Sequence, residues 1–309
     1  MLIIFIFHMF YGVDIFNGLF SDIDKTILTQ IRLPRGFLGI LAGGGLSVCG
    51  AALQGVFRNN LVEPYTLGVS GGAAVGVALA ISLSLNMLLG YFTLILAGFL
   101  GAVFVLFLLY YIAIKENRFD IKTLLLIGVM ISFMSSSILM LILSVSKTEN
   151  LHGIIFWMMG SLSDAENMIN IWLGIIVLSG LFVFYLMAND LNAIQFGYEK
   201  SFTLGVNVEN VIRMTVLISS LVTASIVSVT GVIGFVGLVV PHVMRKFFYN
   251  DFRILFLASF LGGGAFLLLS DMIASKIIYP IELPVGVVTG ILGGALFINI
   301  FRKERVKWK

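Results

Sequence analysis

The sequence predicts an all-α polytopic membrane protein with about ten transmembrane helices, and three observations carry that prediction. Of 309 residues, 59% are hydrophobic and only 11% charged, with a mean hydropathy of +1.07, well outside the range of an average soluble domain. The apolar stretches run continuously for about 20 residues, the length a helix needs to cross the hydrocarbon layer. They do not fall into alternating segments of about ten residues, as the strands of a membrane barrel would. Almost no chain remains for a soluble catalytic unit, so residues 1–309 read as one transmembrane domain.

Met1 to Gly12 is apolar but short, rising about 18 Å as a helix against a layer of about 30 Å, so the first span reads as short or truncated. Asp14 to Gln30 reads as a polar connection. Spans then run from about Gly36 to Phe57, Thr66 to Leu85, Gly90 to Ile114 and Leu124 to Val145, with charge at Lys115 to Lys122 dividing the last two. Ser146 to Asn170 reads as irregular around an aromatic-Gly centre, before a span over Ile171 to Met187. Ala188 to Glu209 is a polar interruption of helix-compatible composition, and Val211 to Val229 is the seventh span. Gly231 to Phe248 contains Gly234, Gly237 and Pro241, which predicts a shorter, distorted helix. Ile254 to Ile277 and Val285 to Phe301 complete the set.

Lys and Arg are distributed unequally between the two sides. Counting back from the basic tail, one side collects that tail with Arg58, Lys115, Arg118, Lys122, Lys200, Arg213, Arg245, Lys246 and Arg253. The other holds Lys25, Arg32, Arg35, Lys147 and Lys276. The positive-inside rule makes the first side cytoplasmic and turns Arg32 and Arg35 outward. Cys49 is the single cysteine, so no intrachain disulfide forms.

Gly39, Gly43, Ser47, Ala51 and Gly55 recur at intervals of four, leaving one face of the second span almost without side chains. Such rows let helix backbones approach closely in a membrane. The row Gly68, Gly72, Gly76 and Ala80 repeats the pattern in the next span.

Four long runs appear in order: RLPR from Arg32, followed by QGVFRNNLVEPYTLGVSGGA; WMMGSLS from Trp157; GVIGFVGLVVPHVMR from Gly231; and ELPVGVVTGILGGALFI from Glu282. Together they resemble the FecCD-type permease family that imports iron-siderophores, haem and cobalamin through ATP-binding-cassette (ABC) transporters, with the cobalamin permeases among its members. The resemblance implies a type II ABC-importer permease fold and a homodimer in the bilayer. It also implies two separate ATPase subunits and an extracytoplasmic substrate-binding protein. Cofactors, metals and nucleic acid have no expected role. The location implied is the prokaryotic cytoplasmic membrane.

The resemblance also assigns residues. Arg32 and Arg35 would meet acidic groups on the binding protein, a task suited to the bidentate guanidinium. A third arginine usual in the family is replaced by Ser275, moving that contact to Lys276. Leu191 to Glu209 would be the coupling element on the ATPase, with Asn192, Gly197, Glu199, Leu204 and Gly205 as its contacts. Ser201 and Phe202 depart from the family pattern there. Asn117, Arg118 and Asp120 would belong to a cytoplasmic gate, and the fifth and tenth spans would border the passage.

Residue chemistry alone narrows the classes further. No G-x-x-x-x-G-K run is present, so the chain does not bind nucleotide by the P-loop route. His8, His152 and His242 are too scattered for a zinc site, and no Ser/His/Asp spacing suggests hydrolysis. An ATP-independent secondary transporter or channel remains the alternative; it needs an ionisable group near the midplane, for which Asp271 is the candidate. A structural role suits Asp271 better than a proton relay, because it sits toward the outer half of its span.

Overall fold

The computed structural model describes residues 1–10, 25–85, 90–115, 121–248, 250–278 and 281–306. Among them the chain is helical, and the one β pairing is an isolated bridge between Ile278 and Ile281. The helices are α1 (Leu2–Phe10), α2 (Leu33–Val56), α3 (Val69–Ser82), α4 (Tyr91–Lys115), α5 (Ile121–Val145), α6 (Thr148–Met158) and α7 (Asn167–Leu186). Then come α8 (Ala188–Gln195), α9 (Tyr198–Thr203), α10 (Val208–Thr230), α11 (Val236–Phe247), α12 (Phe252–Ala274) and α13 (Val285–Val306).

Among the described residues six helices are long and apolar enough to cross a membrane: α2 with the turn before it, α4, α5, α7, α10 and α12. The remaining expected spans, α1, α3, α11 and α13, are shorter or lose their apolar character before they end. Backbone breaks account for two of them. A 3₁₀ turn over Pro64–Leu67 ends at Gly68 with φ +84°, so the span expected from Thr66 is a helix only from Val69. Before α11 the chain leaves helical geometry over residues 231–235, and Pro241 lies inside the helix that follows.

Two expectations are corrected. The described part of the Asp14–Gln30 connection is helical rather than a polar loop: Lys25 and Thr26 lead into a π-helical turn, Ile27–Arg32, that runs directly into α2. The irregular segment expected over Ser146–Asn170 contains the regular helix α6. Its first turn carries Glu149, which complements the helix dipole, and Gly160 with φ +71° stands in the turn that follows its end.

The core is organised around α2, which is buried over almost its whole length against α7, α10, α11 and α12. Its small-residue row makes this possible. A Cβ on Gly43 would stand 2.3 Å from the carbonyl oxygen of Gly263 in α12, so the two backbones touch there. α3 crosses α4 in the same way at Gly72 and Gly101. On the rows' other members, Gly39 faces Leu268, Gly55 faces the ring of Phe252, and Ser47 and Ala51 are fully buried.

Candidate functional site

The mouth expected on the outer side is built where α2 begins. Pro34 occupies the first turn of α2, where a missing backbone N–H costs nothing, and it places Arg35 one turn from the end. The Arg35 guanidinium makes a two-pronged pair with Asp271 near the end of α12: Nε donates to Oδ2 and Nη2 to Oδ1, both at 2.9 Å. Nη1 donates to Glu282 Oε2 at 2.8 Å. His8 Nε2 lies 3.0 Å from Asp271 Oδ2, which brings α1 into the same cluster. Asp271 is 2% exposed and Arg35 14%, whereas Glu282 is 54% exposed. The cluster therefore presents an acid outward and keeps its cation inside. A buried charge needs such company, because an unpaired one in this layer is very costly.

Arg32 donates from Nη1 to the carbonyl of Met9, tying the end of α1 to the turn before α2. Lys276 is exposed just beyond the end of α12. The three cations expected at the mouth are thus at one end of the molecule but in different situations. Sequence reading singled out Arg35 and Asp271 separately and missed their union, along with His8 and Glu282. The signal was present: an acid and an arginine in the outer halves of two spans each require a partner.

Immediately below the mouth, three of the four long motifs converge through backbone. A Cβ on Gly231 would fall 2.2 Å from the carbonyl oxygen of Trp157, and one on Gly286 would fall 2.2 Å from that of Met159. A Cβ on Gly160 would stand 2.5 Å from the carbonyl oxygen of Val232, and the Ser161 N–H donates to the Thr230 carbonyl at 2.8 Å. The end of α6, the break before α11 and the start of α13 therefore form one packed junction. The break is held from the other side by Tyr65, whose hydroxyl donates to the Ile233 carbonyl at 2.9 Å and accepts from its N–H at 3.2 Å. The Glu63 carboxylate interacts with the N–H of Phe235, which adopts φ +68° at the start of α11. Glu282 precedes Gly286 by four residues, so the charged cluster and the junction are consecutive on one strand of chain. A cavity of about 360 Å³ opens beside them, lined by Arg35, Glu282, Asp164, Tyr91, Phe156 and Trp157.

At the basic end, α8 and α9 form a compact bracket. Ala188, Leu191 and Ile194 are buried on one face of α8, while Phe196, Phe202 and Leu204 project, Phe202 at 76% and Leu204 at 66% exposed. Gly197 and Gly205 take φ of +113° and +84°, turning the chain before and after α9. Glu199 is exposed. Asn192 faces inward: its Nδ2 donates to Asp251 Oδ1 and its Oδ1 accepts from the Phe252 N–H, both at 2.9 Å. The Asn192 amide, followed by the backbone N–H of Arg253, holds the Asp251 carboxyl below its ordinary value. The Tyr198 hydroxyl donates to the carbonyl of Val56 at 2.9 Å. The bracket is thus joined to the inner ends of both α2 and α12. Of its residues, the projecting Phe196 was not singled out in the sequence. Asn117, Arg118 and Asp120 lie outside the described residues.

Among the described residues no group of three or more His, Cys, Asp or Glu side chains could hold a metal ion.

Comparison with known proteins gives a consistent picture. The model of the FecCD transport family matches residues 1–303. The cobalamin import system permease protein BtuC of Halobacterium salinarum is 36% identical over 288 residues, covering 92% of this chain and 75% of that protein. The hemin transport system permease protein HmuU of Yersinia pestis is 34% identical over 298 residues, covering 94% and 87%. A solved structure described as an inward-facing, metal-chelate type ABC transporter superposes with a TM-score of 0.90 at 27% identity, covering 98% of this chain and 96% of that one.

Proposed function

The chain belongs to the FecCD transport family, and from that membership we propose that it moves an iron chelate across the cytoplasmic membrane of a prokaryote. As an ABC transporter permease it is a membrane transport component and not itself an enzyme. The finer reading is a homodimer served by two ATPase subunits and an external binding protein. Its substrate is a ferric siderophore, with haem or cobalamin as the other members of the class. The observation that supports it best is the TM-score of 0.90 over nearly the whole chain with a metal-chelate type ABC transporter.

The geometry supplies a mechanism. Phe196, Phe202 and Leu204 offer apolar anchors to a groove on the ATPase. Motion imposed there reaches α2 through Tyr198 and α12 through Asn192. Those two helices meet again at the other end through Arg35 and Asp271, beside the mouth. Displacement of α8 and α9 therefore bears on the mouth through two helices whose backbones touch at Gly43 and Gly263. At the mouth, Arg32 and Lys276 contact the binding protein. Arg35 contributes by holding Glu282 in place, because its own guanidinium is occupied within the chain.

The test is purification of the tagged chain in mild detergent from its native membrane, followed by an ATP hydrolysis assay. The expected result is recovery of a P-loop subunit at one copy per permease, with hydrolysis stimulated by the cognate binding protein. Arg32→Glu combined with Lys276→Glu removes that stimulation and leaves basal hydrolysis in place. A chain that purifies alone and transports in liposomes without ATP would overturn the reading.

A further inference from the structure

A groove of about 310 Å³ runs along the outside of α12 at its basic end, lined by Ile254, Leu257, Ala258, Leu261, Tyr185 and Phe248. Apart from the Tyr185 hydroxyl, these walls are hydrocarbon or aromatic, and all but Phe248 lie on helices long and apolar enough to cross a membrane. At the cytoplasmic end stands Arg253, in the first turn of α12. It is exposed, and its Nη2 hydrogen bonds to the neutral side chain of Asn189 in α8. Among the described residues no carboxylate comes within ion-pair distance of it, although its charge helps to hold the Asp251 carboxyl below the ordinary value.

We propose that this groove seats one acyl chain of an anionic phospholipid from the cytoplasmic leaflet, with the lipid phosphate on Arg253. Three features select this occupant. The groove opens toward the bilayer, so its apolar wall is matched by a hydrocarbon chain. Its charged end is a cation at the depth where headgroups begin, on the side that the distribution of Lys and Arg makes cytoplasmic. The Tyr185 ring, near the end of α7, supplies the amphipathic surface typical of that boundary.

The position gives the lipid a role. Asn189 is the link between Arg253 and α8, and two residues further along α8 repeat the connection. Asn192 bonds Asp251 and Phe252, and Gln195 donates to the Asn250 carbonyl at 2.7 Å. A phosphate on Arg253 completes a polar seam between the bracket and the start of α12, so an anionic headgroup strengthens the joint that carries motion from α8 to α12.

Native mass spectrometry of the permease reconstituted from mixed phosphatidylglycerol and phosphatidylethanolamine vesicles tests this, and its readout does not depend on transport or on any partner. The wild-type chain retains one phosphatidylglycerol through detergent stripping. Arg253→Gln lowers that occupancy about fivefold, the equivalent of about 1 kcal/mol for one basic group at the surface, and Arg253→Lys keeps it. Ala258→Phe, which fills the groove and leaves the cation, also releases the lipid. Equal retention of phosphatidylethanolamine, or wild-type occupancy in both Arg253→Gln and Ala258→Phe, overturns the proposal. So does a disulfide-linked dimer formed by Leu261→Cys in membranes, which would place a second copy of the chain in the groove.

Discussion

Arg35 and Asp271, 236 residues apart in sequence, meet edge to edge through two hydrogen bonds of 2.9 Å, with the carboxylate 2% and the guanidinium 14% exposed. This pair locks the start of α2 to the end of α12. It also decides what the mouth presents, because it draws the cation inward and leaves Glu282 at the surface.

Removing one member of this pair is expected to be more damaging than removing both. Asp271→Asn leaves the guanidinium with only the exposed Glu282 and costs about 3–5 kcal/mol. The double variant Arg35→Met with Asp271→Leu recovers most of the loss. Thermal unfolding in detergent, arranged as a double-mutant cycle, measures both. A single variant as stable as wild type would show that the pair carries no structural charge compensation.

The junction below the mouth makes a sharper demand on residue size. Gly286→Ala drives a methyl group to 2.2 Å from the Met159 carbonyl oxygen and is expected to cost about 1–3 kcal/mol, with reduced yield of folded protein. Gly290→Ala, one turn further along α13, meets nothing within 4 Å and should leave the yield unchanged. Fluorescence-detected size exclusion of the two variants side by side gives the comparison.

The coupling proposed at the basic end rests on exposed apolar side chains. Phe202→Asp with Leu204→Asp, both at the surface, should leave the permease folded and abolish recovery of the ATPase subunit. Co-purification at matched expression reads this directly, and undiminished recovery would assign the contact to other residues.

Acid stability reports on Asn192. Its amide is the main reason that the Asp251 carboxyl sits below its ordinary value of 3.8. A depressed carboxyl contributes stability that is complete above the unfolded value and is lost as pH falls through the folded one. Asn192→Ala removes the largest part of that depression, so the variant is less stable at neutral pH and has the shallower acid limb. Unfolding midpoints recorded from pH 6 downward should converge at the acid end; a constant gap would mean that Asn192 acts without Asp251.

Much of this molecule was legible in its residues. Membrane class, the order of the spans and the shortness of α11 follow from local properties, since hydropathy over about 20 residues and the backbone freedom of glycine act within one segment. The family followed from four motifs in order, each long enough to be specific. Helix α6 was missed because WMMG reads as a turn, while the residues before it, from Thr148, are helix-compatible and carry an acid in the first turn.

Relations between distant segments were settled only by folding. Arg35 could be read as an outward cation until the packing of α2 on α12 brought Asp271 within reach, because Coulomb and hydrogen-bond energies depend on separations that chain order does not encode. Gly160, Gly231 and Gly286 belong to three separate motifs, and their shared purpose emerges where three backbones meet too closely for any side chain. Composition and periodicity thus specify which surfaces a helix offers, and close packing specifies which of them touch.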